Sequence, residues 1–129
     1  MATSLARANL VLLALLVLHD VDHVANQPAR HLAAAVVATG LLGIASVAGA
    51  AALSVRRHAL APLATVAVGV GNVAGFALVH LVPRWGAFSD PYSEFEPNAL
   101  SWALIALPML AGLVAGLAGL RAVSAARIA

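Results

Sequence analysis

The most telling stretch of the chain is ALSWALIALPMLAGLVAGLAGLRAV, residues 99–123. From Ala99 to Leu120 it carries no acidic or basic side chain. At 1.5 Å of rise per residue a helix of that length crosses the ~30 Å hydrocarbon core of a bilayer. The run is too long and too rich in Ala and Leu for a strand. Three more runs of the same character appear at residues 5–25, 32–55 and 59–82. Composition agrees: 63% of the 129 residues are hydrophobic and 9% charged, against roughly 25% charged in a soluble domain. Lipid is therefore the expected main solvent. The expected fold is all-α, an integral membrane four-helix bundle forming a single domain over residues 1–129. Short connections make successive helices antiparallel.

The first run has the order of a signal peptide, with Arg7 ahead of the apolar stretch Leu10 to Leu18. His-Asp-Val-Asp-His follows directly, with no small-residue cleavage pattern, so the run is expected to be retained as a span. Arginines set the direction. Arg7, Arg56, Arg57, Arg121 and Arg127 fall on one side, Arg30 and Arg84 on the other. That asymmetry predicts cytoplasmic N- and C-termini in a multi-pass protein of the plasma membrane. All five acids (Asp20, Asp22, Asp90, Glu94, Glu96) and four of the five histidines (His19, His23, His31, His80) then lie at the outer end. The outer loop, 83–97, holds Trp85, Phe88, Tyr92 and Phe95 between prolines. Its simplest reading is an aromatic belt at headgroup depth; the alternative is a lid over the mouth of the bundle. Asn98 is the expected N-cap of the fourth helix.

Several chemistries are excluded. With no cysteine there is no disulfide, zinc finger or thiol chemistry, and with no lysine no Schiff base. The net charge is +2, but the arginines are scattered at helix ends rather than gathered into a patch, so nucleic acid is not an expected partner. No phosphate loop, nucleotide fingerprint or nucleophile–base pair is present.

What remains is His19-Asp20-Val21-Asp22-His23. At 100° per residue His19, Asp22, His23 and Asn26 share one helical face. Ionisable groups at membrane depth are costly and usually face the bundle interior in company. Two imidazoles at i, i+4 can grip one metal ion, with a carboxylate as third ligand or orienter. His80, near the outer end of the third span, is at matching depth. The candidate metal ligands are therefore His19, Asp22, His23 and His80, with Asp20 and His31 as lesser members. Imidazole and carboxylate suit a divalent transition metal such as Zn or Fe, and the absence of thiolate argues against Cu(I). A b-type haem between His23 and His80 ranks below that. The function expected is a metal site at the outer face acting on a lipid or a small molecule, with Glu94 or Glu96 as a base if the loop folds over it. Two alternatives stay open. One is a non-catalytic subunit of a larger membrane complex, capped by hydrogen-bonded histidines. The other is a proton or ion pathway, since histidine titrates near neutral pH. The His-x-x-x-His pair resembles that of membrane fatty-acid hydroxylases and desaturases in the pair alone; their histidine set exceeds the five present, and the chain is not assigned to them.

Packing signals are small residues. Gly71/Gly75 and Gly112/Gly116 form GxxxG pairs, and Gly40, Gly43, Ser46 and Ala50 make a looser track. They are expected to bring helices together within the bundle, a homo-oligomer contact being the alternative. Asn72, at mid-span, is expected to hydrogen-bond across to another helix, and Pro108 to loosen the fourth.

Overall fold

A computed structural model describes residues 2–26 and 33–126. Four helices carry it: α1 (Ala2–Asn26), α2 (Ala34–Val55), α3 (Ala61–Phe76) and α4 (Ala99–Ala126). No strand occurs among the described residues. All four helices are long and apolar enough to cross a membrane, counting α3 with the turn that extends it to Leu81. Asn98 opens α4 as its cap: its side-chain oxygen accepts the Ser101 N–H at 2.9 Å.

The up-down order shows in which ends meet. Asn9 of α1 reaches Ser54 at the end of α2 and Thr65 at the start of α3. Gly119 of α4 lies against Pro62 and Val66. At the other end, His19 and His23 of α1 meet His80 beyond α3. The first end is tied by a polar knot. Asn9, fully buried, donates to Ser54 Oγ at 3.0 Å and Thr65 Oγ1 at 2.8 Å, while each hydroxyl donates to a carbonyl of its own helix.

α3 and α4 form the closest pair, and glycine is the reason. A Cβ on Gly69 would stand 2.5 Å from the Gly116 nitrogen and 2.6 Å from the Gly112 carbonyl oxygen, so only Gly admits the crossing. Asn72 Nδ2 donates to the Pro108 carbonyl at 2.8 Å across the same interface, as expected of it. α4 runs through Pro108 without a break. The expectation for Gly112 and Gly116 holds, but that for Gly71 and Gly75 does not: a Cβ on either meets nothing within 4 Å. Two residues along a helix turn the face by about 200°, so Gly69 takes the contact and Gly71 and Gly75 face a cleft instead.

The core is small: Leu12, Leu16, Val47, Phe76, Ile105 and Ala115, with Tyr92 inserted from the 83–97 loop. Leu60, Leu63, Leu110, Leu113 and Val114 are exposed on the outside. Apolar surface on this scale is out of place in water and in place in lipid.

Two features shape the end where α3 stops. First, α3 widens into a π-helical turn over Ala77–Leu81, with the Val82 N–H donating to the Ala77 carbonyl five residues back at 3.1 Å. Second, the 83–97 loop divides its labour. Trp85 and Phe88 are exposed and stack on each other, as a headgroup belt would. Ser89, Asp90, Pro91 and Tyr92 are buried. That middle segment is a strap lying inward over the bundle, which corrects the reading of the whole loop as a belt. Ser89 Oγ accepts the N–H groups of Trp85 and Gly86 and makes the inward bend possible.

Candidate metal centre

His19, Asp22 and His23 are all buried, on the inward face of α1 that the spacing dictates. The π turn places buried His80 of α3 opposite them. The three imidazoles form a triangle with ring centroids 4.5 Å (His19–His23), 5.0 Å (His19–His80) and 5.6 Å (His23–His80) apart. One ring nitrogen of each lies within 4.8 Å of the others, a group that could hold a metal ion.

The distances suit that role. His19 Nε2 and His23 Nε2 are 3.1 Å apart. Two nitrogens on one tetrahedral ion at about 2.05 Å would be roughly 3.3 Å apart, and ligands trans across an ion about 4.1 Å. Small side-chain rotations therefore close the set. Without an ion, the same 3.1 Å separation is an N–H···N hydrogen bond.

His80 is oriented from behind. Its Nδ1 lies 3.1 Å from the Asp90 carbonyl oxygen. A carbonyl only accepts, so Nδ1 carries the proton and Nε2 of the neutral ring keeps the lone pair. The Asp90 N–H in turn donates to the Val79 carbonyl at 2.8 Å, clamping the strap onto the end of α3. Tyr92 closes the top, its ring edge-on to His23 at 6.1 Å and to His80 at 5.1 Å. Phe76 forms the floor, 4.7 Å from His19 and 5.5 Å from His80.

The other candidates are placed as follows. Asp22 is buried on the same face but its oxygens are not among the donors that converge with the three histidines. Asp20 is half-buried and turns toward α2, where a Cβ on Gly40 would come 3.3 Å from its carboxyl oxygen. His31 falls outside the described residues. Glu94 does not fold over the cluster: it is exposed and bound by Arg84, with Arg84 Nε 2.9 Å from Oε2. That hydrogen bond raises the Arg84 guanidinium above its already high ordinary pKa, so Arg84 stays charged. Glu96 is exposed.

Tyr92, Phe76 and the Asp90 carbonyl complete the site and carried no distinguishing signal in the sequence. No family model, curated protein or solved structure matches the chain.

Proposed function

We propose that this is a metal-binding membrane protein in which His19, His23 and His80 ligate one divalent transition metal ion. The observation that carries this is the convergence of three buried ring nitrogens, from two helices, within 4.8 Å. Zn or Fe suits an all-imidazole set beside a carboxylate. Asp22 serves as the orienting or charge-balancing carboxylate, because a buried carboxylate at membrane depth gains from a nearby cation. Three protein ligands leave a coordination position open, the arrangement of catalytic rather than structural zinc sites. The packing of His19 against both His23 and His80 leaves no slot for a porphyrin between the latter two, which disfavours the haem reading. The arginine asymmetry supports placing this end outside the plasma membrane, with both termini in the cytoplasm. With Gly112 and Gly116 engaged inside the bundle, any homo-oligomer or larger complex would form through other surfaces.

A second reading has one observation of its own. The 3.1 Å His19–His23 contact is a complete hydrogen bond, so the cluster can also serve as a polar cap without an ion. Elemental analysis of protein purified without chelators separates the two. The metal reading expects close to one ion per chain, lost in His23→Ala and in His80→Ala while helical content is kept. Purified protein that neither carries nor takes up Zn or Fe would leave the polar cap.

A further inference from the structure

A cleft of about 750 Å³ runs along the bundle between α1, α2 and α3, on the side away from α4. His19, Asp20, His23 and His80 line one end of it. The rest is mostly apolar, with Val36, Val47, Val68 and Val79 among its walls, and its polar side chains Thr39, Ser46 and Asn72 each donate to a backbone carbonyl. Gly43 of α2 and Gly71 and Gly75 of α3 also line it, and a Cβ on any of the three would meet nothing within 4 Å. Two helices that turn bare glycines toward each other across open space are not packed there.

We infer that this cleft binds the single long chain of a lipid, with an uncharged, oxygen-bearing end such as an alcohol, aldehyde or ester set against the three histidines. The inference deepens the metal reading by naming the ligand class of the same site. Three arguments carry it. The cleft lies within spans that sit in hydrocarbon, where no water is available to fill an apolar void and alkyl chains are the surrounding medium. Its dimensions fit: from Ala64 to His80 the α3 wall extends about 24 Å at 1.5 Å per residue. That is longer than one leaflet's half of the ~30 Å core, so it takes a long chain. At about 30 Å³ per water- or methylene-sized group, 750 Å³ holds roughly 25 of them. The polarity is one-ended, as in a site that orients an amphiphile: an oxygen can take the coordination position that three imidazole ligands leave open, and the carboxyls of Asp20, in the same wall, and of buried Asp22 offset the charge of a divalent ion, so an uncharged end is favoured over a third carboxylate.

The test uses the full chain in lipid nanodiscs and a long-chain primary alcohol bearing a diazirine and an alkyne. After photolysis, adducts are mapped by peptide mass spectrometry, and metal content is measured on the same samples. The expected result is saturable labelling of cleft residues of α2 and α3, competed by unlabelled alcohol and not by the fatty acid of equal length. Gly71→Phe/Gly75→Phe, and independently Gly43→Phe from the opposite wall, should cut cleft adducts at least tenfold while leaving metal content unchanged. His23→Ala separates the two readings, since it removes the ion and leaves the chain in its cleft. Labelling confined to outward residues such as Leu110 and Leu113, unsaturable and indifferent to the glycine variants, overturns the inference whatever the metal result. Competition by the fatty acid as strong as by the alcohol overturns the choice of an uncharged end.

Discussion

His80 donates from Nδ1 to the Asp90 carbonyl at 3.1 Å, and the neighbouring Val79 carbonyl accepts the Asp90 N–H at 2.8 Å. The end of one helix and the strap above it thus fix each other. The imidazole tautomer depends on a backbone ten residues away, and Tyr92 holds that backbone down by filling the core. Tyr92→Ala should release the strap and weaken metal binding about tenfold, the usual cost of losing an orienting partner. Tyr92→Phe, which keeps the ring contacts, should lose less. Chelator competition measures both, and equal affinity in Tyr92→Ala and the wild type would mean that the strap does not orient His80.

The α3–α4 crossing should respond to methyl-sized changes at one glycine and not at another two positions away. Gly69→Ala sets a carbon against the α4 backbone at 2.5–2.7 Å, too close for side-chain adjustment to relieve. The expected loss is about 1–3 kcal/mol. Gly71→Ala projects into the cleft and should change stability by less than about 0.5 kcal/mol, as substitutions in open space do. Unfolding in mixed micelles reads both, and equal effects would contradict the crossing geometry.

Asn9 joins three helices at the end opposite the histidines. Asn9→Leu removes two interhelical hydrogen bonds but orphans neither hydroxyl, because Ser54 and Thr65 each keep a bond to their own helix. The loss should be about 1–2 kcal/mol, given the modest worth of such bonds in membranes. Metal content should not change, since the knot and the cluster lie at opposite ends. A variant as stable as the wild type would make the knot incidental.

These sites differ in how far the sequence disclosed them. The four helices were legible because uncharged runs of this length have few other solutions, and His19, Asp22 and His23 because 3.6-residue periodicity puts them on one face. His80 was legible only as a depth match; the π turn that presents it leaves no pattern in ALVHL. The glycine track in α3 misled because GxxxG marks a face without saying which face meets a neighbour, and Gly69 lies outside the motif. Tyr92 read as one of four interfacial aromatics because nothing local distinguishes a ring that turns inward from one that stays at the surface. Asn9 was passed over for the same reason: a lone amide shows no partner until Ser54 and Thr65, distant in the chain, come beside it.

Sidedness is open to direct test. Ser89 is buried in the strap, so the reporter belongs at exposed Ser93, with Ser124 as its counterpart beyond the other end. The arginine distribution predicts that Ser93→Cys reacts with an impermeant thiol reagent on intact cells and Ser124→Cys only after lysis. With no native cysteine the background is zero. The reverse pattern would move the histidine cluster to the cytoplasmic face.

Acid should strip the metal, in a direction set by the ligands' protons. An imidazole binds an ion only through a deprotonated nitrogen, so ion and proton compete for His19, His23 and His80. Occupancy should therefore be full at the alkaline end and fall as pH drops. The protein should stay folded across that range, since the α3–α4 glycine crossing and the Asn9 knot contain no group that titrates there. Metal content and circular dichroism followed together from pH 8 to pH 4 check both halves. Metal lost only where helicity is lost would mean the ion leaves with the fold, and occupancy independent of pH would exclude imidazole ligands.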